Sequence, residues 1–166
     1  MGARISFFAV EAGDDDDAFV AGLGVPATLL RALREDVAFR FVEIAREPPG
    51  EAPDATHTAR YEVLREDGDV DGAGGTVFVE PFEVRSGGDE GFLAGWERVH
   101  DLHAAQPGYL GSRLYRGAGP TDFGFVAVAR WSSPLLFARA AKRPEIHEAA
   151  AALPFASHPA LYQVIG

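Results

Sequence analysis

The sequence predicts an α+β fold of two ferredoxin-like β-α-β-β-α-β repeats, the first of them truncated, and three observations carry that expectation. The pattern Phe19-Val-Ala-Gly-Leu23 recurs as Phe92-Leu-Ala-Gly-Trp96. Each copy follows an apolar strand-like run and precedes a helical stretch and a further strand. A Gly-rich joint, Asp67-Gly-Asp-Val-Asp-Gly-Ala-Gly-Gly75, separates the two halves. The expected boundaries are therefore 1–70 for the degenerate first repeat, 71–75 for the joint and 76–166 for the second repeat.

In the first half, Ile5 to Val10 reads as a strand and the helix follows through Phe19 to Leu23, its N-terminus complemented by the acidic run Asp14 to Asp17. Val37 to Ile44 reads as the next strand, and Arg60-Tyr61 takes the place that Arg130-Trp131 takes in the second half. No second helix fits before the joint, which is the truncation.

The second half is the clearer copy. Thr76 to Phe82 is its first strand, and from Phe92 apolar residues and His103 recur at Trp96 and Val99 on one helix face. Pro107-Gly108 ends that helix. In the strand that follows, alternation puts Leu110, Ser112 and Leu114 on one face and Tyr109, Gly111, Arg113 and Tyr115 on the other. Phe123 to Trp131 is apolar on both faces, as expected of a sheet covered on both sides. Ser132-Ser133-Pro134 starts a helix through Phe137 and Ala140, Arg143-Pro144 interrupts it, and Glu145 to Leu153 forms a second. Leu161 to Ile165 closes the unit as a strand.

Composition narrows the function. The 166 residues carry 15 Lys plus Arg against 25 Asp plus Glu, a formal charge of −10, with no basic cluster. That excludes the counterion-releasing stripe that nucleic acid requires and the polybasic patch of an anionic membrane surface. The absence of cysteine excludes disulfides, thiolate chemistry and iron–sulfur clusters. No apolar stretch approaches the ~20 residues of a membrane-spanning helix, and the N-terminal run is too short for a secretory core, so a cytoplasmic location is expected. Neither a phosphate-binding glycine fingerprint nor a hydrolase motif is present.

The series Gly91-Phe-Leu-Ala-Gly-Trp-Glu-Arg-Val-His100, Gln106-Pro-Gly-Tyr-Leu110, Arg130-Trp-Ser-Ser133, Arg143-Pro-Glu145 and His158-Pro-Ala-Leu-Tyr162 resembles the antibiotic biosynthesis monooxygenase domain family of the dimeric α/β barrel superfamily. The resemblance spans about residues 76 to 166. It implies two ferredoxin-like units packed sheet to sheet as a barrel, here by tandem copies in one chain. It also implies dioxygen as co-substrate, no metal, no other cofactor, and an electron-rich phenol or anthrone as the aromatic substrate. Members that oxygenate aromatic polyketide intermediates carry an Asn four residues before a strand-end Trp. Here the Trp is Trp131 and the Asn position is Ala127, which has no donor. Haem-degrading relatives use a His on the later helix and an Asn on the first strand; Ala150 stands near the former, and Thr76 to Phe82 contains no Asn.

The expected catalytic group is His103, whose imidazole on an apolar helix face suits a general base, with Trp131 lining the pocket and Arg113 and Tyr115 offered to an oxyanion. Trp96, Phe125, Ala127 and Tyr109 are the expected substrate-binding residues. His100 and His103, three apart, make a weak metal pair without a third ligand. Two other readings stay open: a non-catalytic ligand-binding or assembly module on the same fold, and a polyketide cyclase. An exposed edge in the incomplete first repeat would favour a homodimer.

Overall fold

The computed structural model describes residues 2–9, 28–46, 55–72 and 74–165. Eight strands form one closed antiparallel barrel. They are β1 (Gly2–Phe8), β2 (Thr28–Ala32), β3 (Phe41–Arg46), β4 (His57–Gly68), β5 (Thr76–Phe82), β6 (Tyr109–Gly117), β7 (Phe125–Trp131) and β8 (Ala160–Val164). Around the barrel the order is β1-β3-β2-β8-β5-β7-β6-β4, with β1 and β4 paired to close it. Within each half the strands lie in the same order, β4-β1-β3-β2 and β8-β5-β7-β6. The described helices are α1 (Asp89–Ala104), α2 (Pro134–Ala141) and α3 (Pro144–Ala151), all beside the second-half strands. None is long and apolar enough to cross a membrane.

Alternation on each strand fills the barrel. Ile5, Phe7, Leu30, Val42, Tyr61, Val77, Val79, Tyr115, Val126, Val128 and Tyr162 form the interior core. The buried phenols are satisfied there: Tyr61 donates to the Phe123 carbonyl at 2.9 Å and Tyr162 to the Phe39 carbonyl at 2.7 Å. The other face of the second-half strands carries Phe82, Leu114, Phe125 and Ala127 against Phe92 and Trp96 of α1. β7 is thus buried on both faces, as its sequence predicts. Ser133 caps α2, its hydroxyl accepting from the Leu136 amide, with Pro134 at the first helical position.

Several expectations for the first half are corrected. The segment Thr28–Ala32, read as part of a helical stretch, is a strand, because barrel closure needs a link between β3 and β8 and Leu30 to Ala32 pair with Val164 to Tyr162. Helix-forming Leu, Arg and Ala yield here to tertiary pairing. Val37 to Phe39 precede β3 instead of opening it, with Phe39 folded into the interior core. Tyr61 is on β4, paired with Ala3 and Gly117, so its counterpart by strand order is on β8; the counterpart of Trp131 is on β3. The expected Asp14 to Asp17 cap and Phe19 to Leu23 helix lie outside the described residues. Every described strand has two neighbours, so the open edge argued for a homodimer is absent among the described residues.

Candidate active site

Between the outer face of the second-half strands and the three helices lies a cavity of about 460 Å³. β5 contributes Phe78, Glu80 and Phe82, β7 contributes Ala127 and Ala129, and β6 contributes Tyr109 and Ser112. α1 lays Trp96, His100 and His103 over it, and Phe137, Ile146 and Ala150 close it from α2 and α3. The volume and the mainly apolar lining suit a small aromatic molecule.

Of the predicted residues, His103, Trp96, Tyr109 and Ala127 meet on this wall. Trp131 is 1% exposed and sits directly behind it, edge-on to His103, Tyr109 and Phe137 at ring separations of 5.5 to 5.7 Å. His103 Nε2 and Trp131 Nε1 are both buried without a hydrogen-bond partner among the described residues. Buried polar atoms are almost always paired, so two unpaired atoms in adjoining rings stand out on this side of the sheet. Burial, reinforced by the neighbouring His100, pushes the His103 imidazole down to about 4, leaving it neutral at pH 7.

Three predicted residues are elsewhere. Arg113 and Tyr115 face the barrel interior, across the sheet from His103, because alternation along β6 sends them there with Val126 and Val128. Arg113 donates to Asp71 at 2.8 and 3.0 Å, to Glu66 at 2.8 Å and to the Tyr115 hydroxyl at 3.3 Å. The Asp71 carboxylate foremost holds its guanidinium above the ordinary range. Phe125 stacks on Phe92 at 4.3 Å and 22° and is consumed in core packing. Tyr109 departs from strict alternation: a bulge between Tyr109 and Gly111 turns it to the cavity side, beside Trp131.

The structure also gathers groups that the sequence reading left aside. Asp67, at the end of β4, accepts from the Tyr109 hydroxyl at 2.8 Å, from the Ser112 hydroxyl at 2.7 Å and from the Ser112 amide at 3.1 Å. His100 Nε2 lies 3.3 Å from both Tyr109 Oη and Asp67 Oδ2, and its ring stacks on Trp96. Burial is the largest influence on Asp67 and raises it, yet the Ser112 and Tyr109 bonds and His100 together leave it below its ordinary value. His100 is thus committed to this network, and no three His, Asp or Glu side chains among the described residues converge as a metal site needs. Glu80 is the remaining carboxyl on the wall, accepting from the Ser157 hydroxyl at 2.8 Å. Its signal was a lone acid alternating with Phe78 and Phe82 in an otherwise apolar strand.

No protein-family model and no curated protein matches the chain. Solved structures do. A haem-degrading enzyme from Listeria monocytogenes is 18% identical at a TM-score of 0.59, covering 98% of this chain and 99% of its own. An anthrone oxidase-like protein is 14% identical at 0.74, covering 99% and 91%. Both likenesses are of fold. A monooxygenase candidate from Shewanella loihica is 31% identical at 0.50 over 57% of this chain and 99% of its own. A cofactor-independent oxygenase from Streptomyces nogalater is 28% identical at 0.50 over 55% and 93%.

Proposed function

This chain belongs to the antibiotic biosynthesis monooxygenase domain family, and from that premise we propose that it binds an anthrone- or phenol-type aromatic molecule beneath its helices and oxidises it with dioxygen, without a resident cofactor. The observation that carries the reading is a mainly apolar cavity of about 460 Å³ whose wall presents His103, backed by Trp131, with His103 Nε2 and Trp131 Nε1 both buried and unpartnered among the described residues. The cofactor-independent oxygenase neighbour, 28% identical over its match, supports the same chemistry.

For an anthrone the reaction balances simply. The methylene carbon loses a proton, and the resulting carbanion is electron-rich enough to reduce dioxygen. One oxygen atom remains as the new carbonyl, and the other leaves as water with the two methylene hydrogens. The protein's part is to bind a flat ring system, exclude water and stabilise the oxyanion. Trp96 and Tyr109 offer aromatic surface, and neutral His103, with Trp131 behind it, offers polar atoms that have no partner among the described residues.

The test is oxygen uptake by metal-stripped protein with a tricyclic anthrone, corrected for spontaneous oxidation. Protein-dependent uptake reduced about tenfold or more in Trp131→Phe is expected, as for loss of one oriented donor. Quenching of tryptophan fluorescence without uptake would replace the oxygenase by a binding module or cyclase. A haemin Soret shift abolished in His103→Ala would move the reading to haem.

A further inference from the structure

We propose that Glu80 is the catalytic base of this cavity, taking the substrate's proton. The inference rests on the aromatic-substrate reading above and adds to it a residue for the first step.

Geometry places the carboxyl. Strand pairing sets Glu80 directly opposite Ala127, and both line the cavity. Cross-strand neighbours share a face with Cβ atoms about 5 Å apart. The methyl of Ala127 leaves the space beside Glu80 open, so the carboxyl occupies the surroundings of the position where an amide would otherwise stand. Ser157 reaches across from the segment before β8 and donates to Oε2. That bond is the carboxyl's one hydrogen bond among the described residues, and Glu80 lines the cavity. The other titratable groups on the wall are His100 and His103 on α1, Tyr109 on β6 and His147 on α3. His100 and Tyr109 are engaged with Asp67.

Chemistry then discriminates between the two candidates. An imidazole held to about 4 is a weak base, better suited to a hydrogen bond than to proton abstraction. Burial, only partly offset by Ser157, moves the Glu80 carboxyl up from its ordinary value, which makes its anion the stronger base. In the step itself the substrate C–H bond breaks, the proton bonds to Glu80 Oε1, and the electron pair stays on the substrate as the carbanion.

Proton exchange separates this step from oxygen chemistry. The probe is 9-anthrone in deuterated buffer under nitrogen, with exchange of its methylene hydrogens followed by NMR and binding by tryptophan quenching. Wild-type protein is expected to accelerate exchange over buffer, with a rate that rises with pH as Glu80 ionises. Glu80→Gln should lower the protein-dependent rate about 100-fold with binding unchanged within twofold. Ser157→Ala, which removes a donor to the anion, should shift the rising limb to higher pH, an effect that a merely structural residue would not produce. Exchange lost in Glu80→Gln without oxygen uptake by wild type would keep the base and remove the oxygenase reading. Wild-type exchange no faster than buffer, a Glu80→Gln rate equal to wild type, or absence of quenching would each overturn the proposal.

Discussion

At the scale of single residues, one wall carries two groups whose pH responses run in opposite directions. His103 titrates near 4 in the folded chain and near 6.5 when unfolded. Between those values the unfolded state binds the extra proton, so stability falls as pH drops from about 6.5 to about 4. The shift corresponds to a contribution on the order of 3 kcal/mol. Glu80, raised by burial, has the reverse sign: its contribution is full below the unfolded value of 4.5 and is lost as pH rises through its folded value. His103→Leu should therefore flatten the acid limb of urea-unfolding stability between pH 4 and 6.5, and an unchanged limb would show that another group sets it. His103 was legible in the sequence because an imidazole interrupts an apolar helix face. Glu80 was equally exposed to that logic, as an acid between two phenylalanines on one strand face, but only the β5–β7 register reveals that it stands beside Ala127.

Among the elements, β6 shows where periodicity stops being a guide. Alternation assigns Arg113 and Tyr115 to one face and Ser112 and Leu114 to the other, and the barrel obeys it. The bulge before Gly111 then reverses Tyr109, and nothing in the pattern announces that. The device depends on a close crossing: a Cβ on Gly111 would lie 2.5 Å from the Asp69 amide nitrogen and 2.7 Å from the Asp67 carbonyl oxygen. Gly68, facing it at φ +63°, has the same restriction, with the Leu110 carbonyl oxygen 2.3 Å from an added Cβ. Gly111→Ala must push β4 away from β6, and with it the Asp67 carboxylate from Tyr109 and Ser112. A loss of about 1–3 kcal/mol is expected from denaturant unfolding. Gly91→Ala, in α1 where an added Cβ meets nothing within 4 Å, is the control and should gain about 0.5–1 kcal/mol. Equal behaviour of the two variants would mean that the crossing tolerates a side chain.

For the molecule as a whole, the decisive feature is that one chain closes the barrel at two seams, β4 on β6 and β2 on β8. The second half was legible because Pro107-Gly108, Ser133-Pro134 and Arg143-Pro144 mark where its helices stop and start. The first was not, since a strand such as Thr28–Ala32 is specified by the edges it joins and little by its own composition. Those seams predict how the second half behaves alone. A fragment of residues 71–166 would leave β6 and β8 with unpaired backbone groups, and would bare Val77, Val79, Tyr115, Val126, Val128 and Tyr162 on the inner face. Pairing β6 of one copy with β8 of another repairs both edges at once under two-fold symmetry and buries both inner faces. The fragment should therefore sediment as a dimer at micromolar concentration, with the helix-covered cavity intact and able to quench Trp96 and Trp131 on binding an anthrone. A folded, monomeric fragment would show that the seams are not what the second half needs, and that the first-half strands serve the site in some way other than closing the sheet.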